Sequence, residues 1–131
     1  MTTILVNGTF DILHRGHLEL LEYAKSLGGT LIVAIDTDRR VKELKGLTRP
    51  INNQDDRWFM LKSLKFVDHV YFFDSDEELI KIIKKFKPVM VKGSDYQDKS
   101  IIGKNECKEI KFFERIDGYS TTNVIQHITD R

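Results

Sequence analysis

A short apolar run that passes through a glycine-containing turn into a helical pattern constrains the fold of this chain more than any other feature. Residues 4–6 are apolar, Gly8 lies in the turn, and residues 18–24 have the apolar spacing of a helix. A strand that enters a helix in this way brings backbone N–H groups and the helix N-terminus to one point, where a phosphate can bind. The N-terminal segment therefore predicts a strand, a turn and a helix with an anion site at the turn.

Two histidines, His14 and His17, lie between this turn and the predicted helix. Because they are three residues apart, one helical turn would place both side chains on the same face. Each imidazole can donate a hydrogen bond to a phosphoryl oxygen, and a protonated ring also adds positive charge. A zinc site is the alternative, but it needs further ligands, and the single cysteine, Cys107, lies far along the chain. We therefore expect a phosphate contact and no metal bound by the protein itself.

The overall composition limits the class of partner. The formal net charge of +1 argues against a nucleic acid as the main ligand. One cysteine cannot form an internal disulfide and suits a reducing cytoplasm. The longest apolar run, residues 31–35, is too short to cross a bilayer, and the N-terminus has no signal-peptide pattern, so we expect no membrane association. At 131 residues, the chain is expected to be one cytoplasmic domain that spans residues 1–131.

Apolar runs alternate with helical patterns over the rest of the chain. Further strands are predicted at residues 31–35, 70–73, 89–91 and 110–113, and further helices at residues 53–66, 79–86 and about 120–128. Residues 39–48 are charged, and we predict a loop at residues 45–50, because Pro50 keeps the residue before it out of the helical region. Five strands that alternate with helices predict an α/β fold, a Rossmann-like doubly wound five-stranded parallel sheet in a single domain.

The candidate site residues follow the predicted strands. In a doubly wound sheet, ligands bind outside the carboxyl ends of the strands, at the point where the strand order reverses. The residues placed there are Thr9, Phe10, Asp11, His14 and His17 after the first strand, Asp36 and Asp38 after the second, Lys92, Gly93 and Asp95 after the fourth, and Arg115, Ser120, Thr121 and Thr122 after the fifth. Four loops that converge on one edge of a sheet predict a binding site.

Several of these residues also have a purely structural explanation. Serine and threonine are favoured helix N-caps, so residues 120–122 fit a cap as well as an anion site. Asp11 fits either a helix cap or a contact to a second substrate or a metal. Arg57, Lys42 and Lys45 lie in charged segments, where a solvated charge is as consistent with the sequence as a phosphate contact. The residues alone leave these alternatives open.

The segment around the two histidines has a recognisable signature. Residues 8–17, GTFDILHRGH, resemble the H-x-G-H motif of the cytidylyltransferase-like nucleotidyltransferases. Residues 115–122, RIDGYSTT, resemble the second motif of that family, R-x-x-G-x-S-T-T, and the likeness extends from residue 8 to residue 125. In the family, the two histidines contact the nucleotide phosphates while the α-phosphorus is attacked, and the second motif closes over the triphosphate. The resemblance thus implies an enzyme that transfers a nucleotidyl group.

The resemblance also implies roles for individual residues. Catalytic roles are expected for His14, His17, Arg115 and Lys45. Nucleotide contacts are expected from Gly8, Thr9, Phe10, His14, His17, Arg57, Lys92, Gly93, Asp95, Arg115, Ser120, Thr121 and Thr122. The second substrate is expected to contact Asp11, Asp36, Asp38 and Lys42. The implied cofactor is Mg²⁺, bound mainly through the triphosphate.

Within the family, three stretches are similar to the adenylyltransferase domain of ADP-heptose synthases. These are residues 45–50, KGLTRP, residues 91–96, VKGSDY, and residues 117–123, DGYSTTN. The heptose enzymes typically have K-G-G-D-Y, so Ser94 departs from their pattern near the expected position of the base. The likeness implies transfer of AMP from ATP to D-glycero-β-D-manno-heptose 1-phosphate with release of pyrophosphate. It also implies a cytoplasmic homodimer, with a separate sugar kinase that supplies the sugar phosphate.

Other functions are compatible with the same motifs. CTP-dependent cytidylyltransferases that act on glycerol 3-phosphate or a similar polyol phosphate share both main signatures, so the sequence does not decide between ATP and CTP. A non-catalytic nucleotide-binding module on the same fold is a second alternative. A dinucleotide-dependent oxidoreductase would need G-x-G-x-x-G after the first strand, and this chain lacks that pattern.

Overall fold

The structure, a computed structural model, describes residues 2–114 and residue 125. Its elements are β1 (Thr3–Gly8), α1 (Arg15–Ser26), β2 (Thr30–Asp36), α2 (Asp38–Lys45), α3 (Gln54–Lys62), β3 (His69–Phe73), α4 (Asp76–Phe86), β4 (Val89–Gly93), a 3-10 turn (Ser94–Tyr96) and β5 (Glu109–Phe113). In this part of the chain the strands form one all-parallel sheet in the order β3-β2-β1-β4-β5. The predicted α/β fold with a five-stranded parallel sheet is confirmed. The helix predicted at about residues 120–128 lies outside the described residues apart from residue 125, and no helix within them has the length and apolar composition needed to cross a bilayer.

Helix α2, Asp38–Lys45, lies in the charged segment, for which the sequence predicted no helix, and the predicted loop at residues 45–50 begins where it ends. The hydroxyl of Thr37 accepts a hydrogen bond from the backbone N–H of Arg40 at 3.3 Å and caps the helix. An acid lies in the first turn and lysines in the last, as the helix dipole favours. Val41 is the one buried residue of this helix, so the apolar stripe by which a helix is recognised in a sequence is missing.

The sheet carries an apolar layer on each face. Alternate residues of a strand point to opposite faces, so Ile4 and Val6 of β1 join one layer and Leu5 joins the other. Helix α1 covers the first layer through Leu21, and α4 covers the second through Leu79; we call them the α1 layer and the α4 layer. These side chains are almost fully buried, and each stabilises the fold by about 1.5–3 kcal/mol of transfer free energy.

Strand β1 is the strand at which the order of the sheet reverses. It pairs with β2 on one side and with β4 on the other. The chain runs from β1 to β2 and β3, and then returns past β1 to form β4 and β5. The carboxyl ends of β1 and β4 therefore border the crevice in which a doubly wound sheet binds its ligands.

Candidate active site

The N-terminus of α1 is built by the two histidines of the first motif. His14 is the N-cap residue, and its Nδ1 accepts a hydrogen bond from the backbone N–H of Gly16 at 3.1 Å. The backbone N–H of His14 in turn donates to Nδ1 of His17 at 3.2 Å, which completes a reciprocal capping arrangement. The two rings stack, with centroids 3.9 Å apart and an interplanar angle of 24°. The motif thus places both imidazoles together at the start of α1.

The hydrogen bonds of these rings assign their tautomers. A ring nitrogen that accepts a hydrogen bond carries no proton, so Nδ1 is unprotonated in both His14 and His17. The proton of each neutral ring is then on Nε2, which makes that nitrogen a hydrogen-bond donor. Two such donors at a helix N-terminus, where the helix dipole also favours negative charge, suit the oxygens of a phosphate.

The turn between β1 and α1 has an unusual backbone. Phe10 and Ile12 have positive φ angles of 53° and 49°, in a region that non-glycine residues rarely adopt. The buried Phe10 ring packs against His17, with the two ring centroids 5.2 Å apart. A Cβ atom at Gly8 would lie 3.3 Å from the Phe10 ring. A larger residue in place of Gly8 would therefore press on the ring that supports His17.

Asp11 fixes this turn to the segment that precedes α3. Its carboxylate is buried and accepts hydrogen bonds from the backbone N–H groups of Ile51 and Asn52, at 2.6 and 2.9 Å. Nε of Arg49 lies 4.0 Å from Oδ2 of Asp11. The helix-cap explanation of Asp11 is wrong, because His14 caps α1. The structure instead places Asp11 as an anchor of the turn.

Arg57 is fully buried and joins four segments at the edge of the sheet. Its Nη1 donates to the backbone carbonyl oxygens of Thr9 and Asp36, both at 2.9 Å. Its Nε donates to the carbonyl oxygen of Asn52 at 3.0 Å, and its Nη2 donates to Oδ1 of Asp38 at 2.8 Å. Because its side chain is 0% exposed, Arg57 is not a solvated charge. All four of these hydrogen bonds go to the protein itself, so Arg57 holds these segments together.

Both aspartates at the carboxyl end of β2, Asp36 and Asp38, form ion pairs. Oδ1 of Asp38 pairs with the buried guanidinium of Arg57, yet a third of the Asp38 side chain is exposed. Asp36 is buried, and its Oδ2 accepts a hydrogen bond from Nε of Arg40 at 3.0 Å. Arg40 also pairs with Asp76, with Nη2 and Oδ1 2.5 Å apart. The carboxyl end of β2 is therefore held by two arginines, and Asp38 is the aspartate that solvent reaches.

The lysines of α2 have different environments. Nζ of Lys42 donates to the carbonyl oxygen of Arg49 at 3.0 Å and fixes the loop after the helix. Lys45 lies in the last turn; surrounding protein atoms lower the pKa of Lys45, and the positive charge of Arg49 lowers it further. The Arg49 side chain is only 16% exposed, and within the described part of the chain its Nε makes no hydrogen bond. Lys45 and Arg49 thus form a pair of like charges near Asp11.

A second cation lies where β4 ends. Nζ of Lys92 donates to Oδ1 of Asn7, at the end of β1, at 2.7 Å. It also lies 5.3 Å from the centroid of the Tyr96 ring. Burial lowers the pKa of Lys92 to about 8, and the negative charge of Asp36 opposes that shift. This ammonium group therefore borders the crevice between β1 and β4.

The remaining predicted site residues fall into two groups. Gly93 is the buried last residue of β4, and Asp95 is exposed in the 3-10 turn that follows, so both lie beside Lys92 in the chain. The second motif is outside the described residues; its predicted site residues are Arg115, Ser120, Thr121 and Thr122. Among residues 2–114 no three histidine, cysteine, aspartate or glutamate side chains are grouped so that they could hold a metal ion.

Three residues at this edge of the sheet were not identified from the sequence. Asn7 binds Lys92, and Arg40 binds Asp36. Arg49 lies near Asp11 and Lys45. Arg49 had one signal, its place in the KGLTRP stretch. Nothing in the sequence distinguishes Asn7 or Arg40 from ordinary polar residues. The partner of each, Lys92 for Asn7 and Asp36 for Arg40, lies on a different strand or helix.

Comparison with known proteins finds relatives that match nearly the whole chain. The chain is 48% identical over 128 residues to "Bifunctional protein HldE" of Campylobacter fetus subsp. fetus (strain 82-40). The match covers 97% of this chain and 28% of that protein. It is also 48% identical over 126 residues to "Bifunctional protein HldE" of Helicobacter pylori (strain Shi470), covering 95% of this chain and 27% of that protein. The chain therefore spans little more than a quarter of the length of the curated relatives that it matches.

A solved structure and a family model complete the comparison. The crystal structure of the lipopolysaccharide core biosynthesis protein from Thermoplasma volcanium GSS1 has a TM-score of 0.71 and 26% identity, covering 87% of this chain and 98% of that chain. The family model described as cytidylyltransferase-like matches residues 5–127, which include both motifs. The family predicted from those motifs is confirmed, and this chain belongs to the cytidylyltransferase-like family.

Proposed function

We propose that this chain is an adenylyltransferase that transfers the AMP part of ATP to D-glycero-β-D-manno-heptose 1-phosphate. The observation that carries the proposal is the stacked pair of His14 and His17 at the start of α1, in which Nδ1 of each ring accepts a backbone hydrogen bond. The 48% identity to one part of proteins named HldE supports the same proposal. So does the likeness to a lipopolysaccharide core biosynthesis protein.

The reaction is an in-line displacement at phosphorus. An oxygen of the sugar 1-phosphate attacks the α-phosphorus of ATP and forms a new P–O bond, while the bond from the α-phosphorus to the oxygen that bridges to the β-phosphate breaks. The products are ADP-heptose and pyrophosphate. Because the nucleophile is already an anion, neither a covalent enzyme intermediate nor a general base is required. The protein has to hold two polyanions together and stabilise the charge that develops on the phosphoryl oxygens.

The first motif and helix α2 provide groups suited to that task. His14 and His17 would donate hydrogen bonds from Nε2 to phosphoryl oxygens, and Lys45 would add positive charge from the end of α2. From the second motif, Arg115 and the hydroxyl groups of Ser120, Thr121 and Thr122 would close over the triphosphate. Arg57 and Asp11 would instead position the turn, since their polar atoms bind the protein itself.

The nucleotide would carry Mg²⁺ into the site. The described residues offer no cluster of three metal-binding side chains, so the ion would be held mainly by phosphate oxygens. When bound, it would neutralise part of the triphosphate charge and favour the departure of pyrophosphate.

The chemistry of the acceptor requires an earlier phosphorylation step. A sugar 1-phosphate can be made by a kinase that acts on the sugar, and we propose that such a kinase activity supplies the substrate of this enzyme. We also propose that the enzyme works as a homodimer in the cytoplasm. Both parts of this proposal are supported by the resemblance to the heptose-phosphate adenylyltransferases.

Pyrophosphate release in the presence of Mg²⁺ tests the proposed reaction. ATP and CTP are each combined with D-glycero-β-D-manno-heptose 1-phosphate and with glycerol 3-phosphate. We expect turnover with ATP and the heptose phosphate alone. Turnover with CTP and glycerol 3-phosphate would establish the cytidylyltransferase alternative. Binding of ATP without turnover in any combination would contradict the proposal and identify a non-catalytic nucleotide-binding module.

A further inference from the structure

The second half of helix α3 carries apolar side chains on all of its sides. Residues 58–61 are apolar, and at 3.6 residues per turn they extend around almost the whole helix. Leu61 is buried in the α1 layer, and Trp58 packs against the same layer. Phe59 lies on the opposite side of the helix from Leu61 and is 66% exposed. Because a helix that is apolar on all sides is typically buried on all sides, the exposed side of α3 indicates a partner.

Charged residues flank Phe59 on this exposed side. Asp55 and Asp56 lie four and three residues before it, and Lys62 lies three residues after it. All three charged residues are exposed, and within residues 2–114 none of them forms an ion pair. The helix dipole explains acids in the first turn and a lysine in the last turn. It does not explain an exposed phenyl ring between them.

The order of these residues makes the exposed side of α3 complementary to itself. A two-fold axis at Phe59 pairs α3 with a second, antiparallel α3 and brings the two phenyl rings together. With a rise of 1.5 Å per residue, Asp55 and Asp56 lie about 6 and about 4.5 Å from Phe59 along the helix, and Lys62 lies about 4.5 Å away in the other direction. The two acids of each copy therefore face the partner's Lys62. A parallel pair would instead place like charges against each other.

An exposed aromatic side chain beside α3 extends this surface. The indole N–H of Trp58 donates to the carbonyl oxygen of Val70 at 3.2 Å, so α3 packs on β3, an outer strand of the sheet. Phe72 lies two residues after Val70, on the same face of β3, and it is also exposed. Stable interfaces take about 800 Å² from each partner, whereas α3 alone is only about 13 Å long. The contribution of Phe72 enlarges the apolar area that a second copy can cover.

We propose that two copies of this chain associate through the exposed side of α3, with Phe59 at the two-fold axis and the two α3 helices antiparallel. The proposal rests on the homodimer of the proposed function and not on the choice of substrates. The buried side of the same helix carries Arg57, which binds the turn after β1 and the carboxyl end of β2. The second copy would therefore brace the helix that holds the edge of the candidate site.

Sedimentation velocity of the full chain over a range of concentrations measures the association. We expect the wild type to sediment as a dimer. Phe59→Ser removes the ring at the centre of the interface, and its dissociation constant should rise at least about 30-fold, as is typical of a central aromatic residue. Leu44→Ser is the matched control, because Leu44 is similarly exposed, at 60%, but lies on α2. It should associate as the wild type does.

Thermal unfolding gives a second readout of the same association. Because the dimer is favoured by mass action, Tm of the wild type should rise with protein concentration. Tm of Phe59→Ser should depend on concentration much less over the same range. A ring that serves only the stability of one copy would shift Tm by the same amount at every concentration.

A mixture of two charge variants tests the antiparallel arrangement. Lys62→Glu makes both ends of the surface acidic, and the combined change Asp55→Lys and Asp56→Lys makes both ends basic. Each variant alone should dimerise more weakly than the wild type, and an equimolar mixture should associate more tightly than either variant alone. Low ionic strength keeps the screening of these surface charges small. Circular dichroism verifies that each variant is folded, and the mixture decides if Phe59→Ser is not.

The outcomes separate the surface from the rest of the proposed function. A dimer that is as tight in Phe59→Ser as in the wild type would overturn this surface and leave the homodimer intact. A wild type that stays monomeric at the highest concentration measured would overturn both. Charge variants that associate with themselves as tightly as with each other would contradict the antiparallel pairing. Pyrophosphate release, measured on the same samples, shows separately whether the transfer reaction occurs.

Discussion

The backbone N–H of His14 donates a hydrogen bond to Nδ1 of His17, and the two imidazole rings stack with their centroids 3.9 Å apart. One nitrogen of His17 therefore caps the helix, and the other is the proposed donor to a phosphate. These two tasks can be separated by substitution. The side-chain amide of asparagine reaches the position of Nδ1, whereas that of glutamine extends to the position of Nε2.

We predict that His17→Asn folds normally and is a poor enzyme. The asparagine oxygen can still accept the hydrogen bond from His14, but no donor remains at the position of Nε2. Loss of one preorganised donor to a transition-state oxygen typically lowers turnover by about 10²–10³-fold. Thermal unfolding and pyrophosphate release measure the two properties on the same preparation.

Glutamine at the same position should give the converse result. His17→Gln restores a donor near the phosphate but loses the acceptor for the His14 N–H, so we expect a loss of about 1 kcal/mol in stability and faster turnover than in His17→Asn. His69→Gln is the matched control, because His69 is exposed at the start of β3. Wild-type turnover in His17→Asn would exclude the donor role.

We predict that Arg57→Met strongly destabilises the protein. The substitution leaves the carbonyl oxygens of Thr9, Asp36 and Asn52 and the carboxylate of Asp38 without the donors that they bind in the folded chain. Removing one partner from a buried, hydrogen-bonded ion pair typically costs about 3–5 kcal/mol. Urea-induced unfolding measures this free energy.

Two variants control for the loss of charge. Arg57→Lys keeps the charge but cannot reproduce the planar set of donors, so its stability should lie between those of the wild type and Arg57→Met. Arg15→Met removes an arginine whose side chain is 71% exposed and pairs with Glu19 on the surface of α1, where the expected cost is below about 1 kcal/mol. An effect of Arg57→Met as small as that of Arg15→Met would show that Arg57 does not hold the edge of the sheet together.

A third prediction concerns the pH dependence of stability. The carboxylate of Asp68 accepts hydrogen bonds from Nζ of Lys25 at 2.7 Å and from the N–H of Leu31 at 2.8 Å, and these two donors lower the pKa of Asp68. Because the folded pKa lies below the unfolded one, the stabilisation is present above the unfolded value of about 3.9 and is lost as the pH falls through the folded value. The side chain is 36% exposed, so screening limits the contribution to about 1 kcal/mol or less.

Urea unfolding of Asp68→Asn at pH 7 and pH 3 tests this linkage. We expect the variant to be less stable than the wild type at pH 7 and nearly equal to it at pH 3. Asp98→Asn, at an exposed position in the loop before β5, should follow the wild type at both values. Curves for wild type and Asp68→Asn that stay parallel between the two pH values would contradict the assignment.

The strands could be predicted from the sequence because burial on both faces leaves a continuous apolar run. Residues 31–35 are the clearest case, since all five are buried in β2. Helix α2 could not be predicted in the same way. It buries Val41 alone, and its N-terminus is capped by Thr37, whose side chain has no distinctive sequence context. Caps and surface charge, not an apolar face, define that helix.

The same contrast applies to the candidate site. The pairing of His14 and His17 is local, so their spacing sufficed to place the two rings together. The contacts of Asp11 and Arg57 are not local: Asp11 binds the N–H of a residue 40 positions away, and Arg57 binds a carbonyl 48 positions away. Their partners are backbone atoms, which residue identity does not reveal. Sequence therefore identified these residues as notable, and the structure alone gives what each of them holds.

The last prediction concerns the pair of like charges at the end of α2. Surrounding protein atoms and the charge of Arg49 both lower the pKa of Lys45. We predict that Arg49→Met raises the pKa of Lys45, because the repulsion is removed while the surrounding atoms stay. Competitive labelling with a small amine-reactive reagent over a range of pH, followed by mass spectrometry, measures this pKa for each lysine separately.

The control variants test whether charge causes the shift. Arg49→Lys keeps a positive charge beside Lys45 and should leave its pKa lowered, and Arg15→Met, on the surface of α1, should have no effect. If Lys45 also reaches the triphosphate, α,β-methylene-ATP with Mg²⁺ should slow its labelling while Lys104, exposed in the loop before β5, is labelled as before. An unchanged pKa of Lys45 in Arg49→Met would mean that the surrounding atoms alone set it. In that case Arg49 would have no electrostatic effect on Lys45 and would serve to anchor the loop beside Asp11.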